Sequence, residues 1–145
     1  MMNKLLSVFA PNAAPQAPDD RVAIAGLLVR VARTDGDYAP EEIARIDRIL
    51  SSRYGLTPQA TTTLRQEAEQ YEKDAPDTVR FTRAIKDSVP FEEREAVIEA
   101  LWQVVLADGS RDTHEDTLMR LLANLLGVND VDSARCRQKA LSALG

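Results

Sequence analysis

Histidine and cysteine occur once each in this chain, as His114 and Cys136. A lone cysteine excludes an intramolecular disulfide, and with a single histidine it leaves no set of soft ligands for zinc. Aromatic residues make up only 5% of the sequence, so no ladder of stacking platforms for bases is present. Basic charge is also in the minority, with 18 Lys and Arg against 23 Asp and Glu. The basic residues are scattered among the acidic ones rather than gathered into a stripe, which argues against nucleic acid as a partner. Walker glycines, dinucleotide-binding glycines and serine-nucleophile signatures are missing. The apolar run LLSVFA near the start is too brief for a transmembrane span and weak as a secretory signal, so the expected location is the cytoplasm.

No stretch alternates with strand period for long, whereas most segments repeat their apolar residues with helical period, and the fold class expected is all-α. The 44% hydrophobic content over 145 residues suits one domain with a real core. Residues 1–18 read as a short N-terminal segment and a proline- and alanine-rich linker, and 19–145 as the helical domain. Within the first segment, residues 1–10 form a short amphipathic pattern through Leu5, Leu6 and Phe9, suited to docking on the domain or touching a membrane surface. The run RVAIAGLLVRVA after Asp20 is apolar almost all round, as a central helix must be. A second helix over 40–54 carries Ile43, Ile46, Ile49 and Leu50 on one face and closes at Gly55-Leu56. A third opens at Thr57-Pro58 and passes Leu64, Ala68 and Tyr71 on a polar, solvent-facing flank. A fourth packs through Val79, Phe81 and Ile85 and stops before Pro90. The fifth, from Phe91, has an acidic first turn and then an apolar body expected to partner the first helix. The sixth opens on Asp112 with Glu115 in a capping arrangement and places Leu118, Leu121, Leu122 and Leu125 inward, and the seventh follows an Asn129 cap.

Two of the connections repeat one another. VARTDGDYAPEE at 31–42 and VVLADGSRDTHED at 104–116 both close an apolar helix with Asp-Gly and carry a glutamate seven residues after the aspartate. A shift of 73 residues superposes Leu28 on Leu101, Val31 on Val104, Asp35 on Asp108, Gly36 on Gly109, Glu42 on Glu115 and Ile46 on Met119. The fold expected is a compact bundle of about seven helices with an internal pseudo-twofold repeat of helix hairpins. Asp35, Glu42, Asp108 and Glu115 supply four hard oxygen donors, which suit calcium or magnesium if the hairpin mouths converge. The same residues serve equally as turn and cap architecture, with glycine supplying the backbone angle and the carboxylates accepting helix-start amides. An EF-hand is excluded, because Val31 and Arg33 stand where its loop needs oxygen ligands before the glycine. His114 reads as a first-turn helix residue, and Trp102, flanked by Leu101, Val104 and Val105, as core or groove lining.

The two Asp-Gly turns, with Glu41-Glu42 and His114-Glu115, the mid-chain Arg80-Phe81-Thr82, Leu101-Trp102 and Leu125-Leu126-Gly127-Val128, together resemble the tellurite-resistance TerB-like family, in particular its short stand-alone proteins. The resemblance spans most of 20–135 and implies a compact bundle of about seven helices in a bacterial cytoplasm, an association with tellurite resistance or stress response, and divalent metal at the acidic positions. Arg111 departs from the family, which commonly has an apolar residue there anchoring the second turn. Two classes of function compete at this point. One is a noncatalytic, stress-associated binding or adaptor domain that engages a protein partner and carries a weak cation site at the acidic turns. The other is a divalent-cation-dependent enzyme or sensor built on the paired carboxylates.

Overall fold

The central helix expected from RVAIAGLLVRVA runs from Asp20 to Arg33 and is α1. The computed structural model describes residues 20–34, 37–75, 77–107 and 113–144, with side chains in the last stretch from residue 116 onward. Residues 1–19, the Asp-Gly pairs, the Asp112–Glu115 cap expected for the sixth helix and the membrane-contact segment lie outside the described residues. Along α1, Ala23 to Val29, Val31 and Ala32 are all buried, so helices pack on every side of it, and each apolar position contributes hydrophobic stabilisation. Six more helices are described: α2 (Pro40–Tyr54), α3 (Pro58–Asp74), α4 (Val79–Ser88), α5 (Phe91–Val105), α6 (Thr113–Leu125) and α7 (Asp130–Leu144), and no strand occurs among the described residues.

Local chemistry sets the helix ends. Thr57 Oγ1 accepts the Ala60 N–H at 3.1 Å and Pro58 occupies the first turn of α3, where its missing N–H has no cost. Asn129 Oδ1 accepts the Asp132 N–H at 2.8 Å and caps α7. Gly55 and Gly127 adopt φ of 61° and 78°, the left-handed conformation that ends a helix. In each case the following residue donates back to a carbonyl five residues earlier, Leu56 to Ser51 at 3.1 Å and Val128 to Ala123 at 2.8 Å.

The two most extensive helix pairings are α1 with α3 and α5 with α7. The fifth helix does meet the first, yet α3, expected as an outer flank, is α1's larger partner. Its buried Thr61 and Ala68 and half-buried Leu64 and Tyr71 face inward. Its polar residues are not idle either, because Glu72 takes two arginines of α1 and Arg65 reaches Asp47 of α2. The short α4 crosses α1 at Gly26. The Phe81 ring lies where a Cβ on Gly26 would stand, 2.4 Å from Cε1, and meets Tyr71 edge-on with ring centroids 5.4 Å apart. Thr82 is buried beside it, its hydroxyl donating to the Val79 carbonyl at 3.0 Å.

In α6 the inward face is Met119, Leu122, Ala123 and, just past the helix, Leu126, while Leu121 is 46% exposed. The expected face is therefore rotated by about one residue. The reason is physical: leucines occupy two adjacent stripes of this helix, and periodicity alone does not select between them. In α7 the buried residues are Ser133, Cys136 and Ala140. No helix among the described residues is long and apolar enough to cross a membrane.

Candidate functional site

Of the four residues expected to hold a cation, Glu42 is the one whose side chain is described. It is completely buried in the first turn of α2, and its Oε1 accepts the Ala39 N–H at 3.0 Å. A backbone donor at a helix start that would otherwise lack a partner is thereby satisfied. Here the cap role written in the sequence has a geometry. Asp35, Asp108 and the side chain of Glu115 lie outside the described residues, as does that of His114. Among the described residues, no group of three or more His, Cys, Asp or Glu side chains is placed to hold a metal ion.

What surrounds the exit of the first acidic turn is a network of charge pairs. Arg33, in the last turn of α1, donates to Glu72 Oε1 at 2.7 Å, and its guanidinium sits 5.0 Å from the centre of the Tyr38 ring. The Tyr38 hydroxyl donates to Glu69 Oε2 at 2.7 Å. Arg65 binds the same Glu69 oxygen at 3.0 Å and Asp47 at 2.6 Å, joining α3 to α2. Arg30 goes deeper. Its Nε donates to Glu72 Oε2 at 3.0 Å, one terminal nitrogen to Thr78 Oγ1 at 3.2 Å, and the other to the carbonyls of Glu72 and Ala75 at 3.2 and 3.0 Å. Arginine's planar fork suits such a junction, because five fixed donors can satisfy the carbonyls at the end of α3 and a carboxylate at once. Sequence reasoning missed this cluster. Its signal was the pair Arg30 and Arg33 closing an otherwise apolar helix, mirrored by Glu69 and Glu72 at the same spacing.

The Tyr38 phenol is pushed well above its ordinary 10.0, first by burial and then by its hydrogen bond to the Glu69 carboxylate. A raised folded-state value means the unfolded chain loses this proton first. The stability it contributes is therefore fully present below about pH 10 and is lost as pH rises toward the folded-state value. Tyr38→Phe is expected to lower stability by about 1 kcal/mol near neutrality, and its deficit against the wild type narrows above about pH 10. Urea denaturation of both chains at neutral and alkaline pH checks this; a deficit unchanged by pH would place the stabilisation elsewhere.

A second polar place lies between α5, α6 and α7, where Trp102 is 8% exposed and its indole N–H donates to Ser133 Oγ at 3.2 Å. Arg137 sits 5.5 Å from the ring centre, and with Asp116, Arg120 and Asp130 they line a cleft of about 260 Å³. Trp102 is thus both core and groove lining. Cys136 is buried, its thiol donating to the Glu95 carbonyl at 3.4 Å; burial, followed by the nearby Glu95 and Glu99, pushes the thiol up from its ordinary value, which suppresses the reactive thiolate.

These features define an all-helical domain wrapped around a buried helix, with its described ion pairs concentrated at helix ends and helix junctions. The model of the TerB family, described as tellurite resistance protein TerB, matches residues 21–138, and the chain belongs to that family. No curated protein and no solved structure matches it.

Proposed function

We propose that this chain serves tellurite resistance in the cytoplasm as a noncatalytic binding or adaptor domain of a stress response. The observation that carries the reading is the family match over residues 21–138, since the family is named for tellurite resistance. The charged network lends support, because Arg30, Arg33, Arg65, Glu69 and Glu72 hold helices together through direct hydrogen bonds rather than standing ready around a cavity. The domain spans residues 19–145 in this reading, preceded by a short N-terminal segment and linker over 1–18. The test is growth on tellurite. Cells lacking the chain should tolerate less tellurite than the parent and regain tolerance when the wild-type chain is supplied; unchanged tolerance in the deletion would remove the role.

Weak divalent-cation binding at the acidic turns belongs to the same proposal, with Asp35, Glu42, Asp108 and Glu115 as oxygen donors, one oxygen of Glu42 also capping its turn. Calcium or magnesium is the cation of choice for such donors. Calorimetric titration of the metal-free chain should give saturable heat only at about millimolar cation, and Asp35→Ala with Asp108→Ala should abolish it. Heat of equal size from the double variant would return both turns to pure architecture.

A further inference from the structure

A cleft of about 440 Å³ lies away from the charged network, between α2, α5 and the end of α7. One wall carries Arg45, Arg48 and Arg53, and the other carries Ala96, Glu99 and Ala100. Among the described residues none of the three arginines has an acidic side chain within ion-pair distance, in contrast to Arg30, Arg33, Arg65 and Arg135. Burial and then the nearby Arg48 guanidinium disfavour the charge of Arg45. A chain of net charge -5 therefore keeps like charges together along one groove, with no carboxylate partner among the described residues.

We infer that this groove docks an acidic helix of a partner protein. The inference rests on the adaptor reading and supplies the chemistry of its partner. The spacing of the arginines favours an elongated occupant: positions 45, 48 and 53 spread the guanidiniums over about 12 Å of helix at 1.5 Å per residue, where a single small oxyanion would need them to converge. Alanines on the facing wall let a helix backbone approach closely, and Glu99, unpaired with the arginines, disfavours an acidic helix set in the wrong register. Three arginines along one groove of a chain with net charge -5 make that groove locally basic, and attraction along it orients the partner.

The probe is a synthetic helix of about 20 residues, long enough to cover the groove, with glutamates along one face and alanines on the other, titrated into the isotope-labelled full chain. Amide shifts should concentrate at 45–53 and 96–103 and weaken with salt. Arg45→Glu with Arg48→Glu should weaken binding about tenfold, as the loss of two partly exposed ion pairs implies. Ala96→Trp, at an exposed position, should block the groove with every arginine in place. A lysine-for-glutamate probe that binds equally well would overturn the inference. So would inorganic phosphate that reproduces the shifts at the same concentration, or the same shifts on concentrating the chain alone, which would make the site one for small oxyanions or for a second copy. Any of these leaves the adaptor reading standing, because that reading is tested by tellurite tolerance and by a captured partner instead.

Discussion

Gly26→Ala should destabilise the protein in the wild-type background and stabilise it once Phe81 is cut back to alanine. A Cβ at position 26 would lie 2.4 Å from Phe81 Cε1, and Phe81 is fully buried with Tyr71 against its edge, so the ring has nowhere to retreat. Overpacking of this kind costs about 1–3 kcal/mol, which outweighs the ~1 kcal/mol that alanine gains over glycine inside a helix. Phe81→Ala alone should cost about 3–5 kcal/mol through lost burial and the cavity left behind. With that cavity present, the new methyl group meets no ring and only the helix gain remains. Urea denaturation of the wild type, both single variants and the double variant completes the cycle. Equal effects of Gly26→Ala in both backgrounds would mean that Phe81 and Gly26 do not meet as described.

The second large effect is expected at Arg30. Replacing it with alanine removes the Glu72 ion pair, two bonds to carbonyls at the end of α3, the Thr78 contact and a guanidinium lying 5.1 Å from the centre of the Phe81 ring. Side-chain exposures of 17% for Arg30 and 12% for Glu72 keep water from replacing most of these, so a loss of about 2–4 kcal/mol is expected, below the full value of a buried pair. Arg30→Lys should recover only part of it, since an ammonium cannot reach a carboxylate and two carbonyls in a fixed fork. Arg135→Ala is the matched control. Arg135 is 56% exposed and pairs with Asp132 and Glu95 on the surface, where the expected cost is about 0–0.5 kcal/mol. Similar losses at both positions, measured by the same denaturation, would contradict a special role for the α1 junction.

Both predictions concern residues that the sequence displayed without explaining. The helices themselves were legible because their signals are local: Thr57-Pro58, Gly55, Gly127 and Asn129 act within a turn of where they stand, and the apolar girth of α1 announces a central helix. Faces were harder to read. The leucines of α6 satisfy two neighbouring stripes, and only packing chose Met119 and Leu122 over Leu121. Thr82 is buried beside Phe81 because α4 is short and lies close against α1, which nothing local in the sequence decides.

The candidate site was legible in part. Glu42 stood in the sequence as either a cation ligand or a helix cap, and its burial with one oxygen on the Ala39 amide gives the cap a geometry. The matching spacing of Arg30 and Arg33 with Glu69 and Glu72 was visible, but the partners Arg30 and Glu72 are 42 residues apart and nothing local requires them to meet. The arginines of the α2 groove were hidden for the opposite reason. Their meaning lies in having no ion-pair partner among the described residues, and only the packing of α2 against α5 reveals the groove they line.

The measurement that tests the account most directly is recovery of the tagged full chain from tellurite-exposed cells, with its associated proteins quantified against the Arg45→Glu, Arg48→Glu chain. The account predicts one protein that accompanies the wild type reproducibly and is depleted from the variant. No reproducible companion, together with a substrate turned over by the purified wild-type chain and not by Asp108→Ala, would contradict it and make this domain an enzyme.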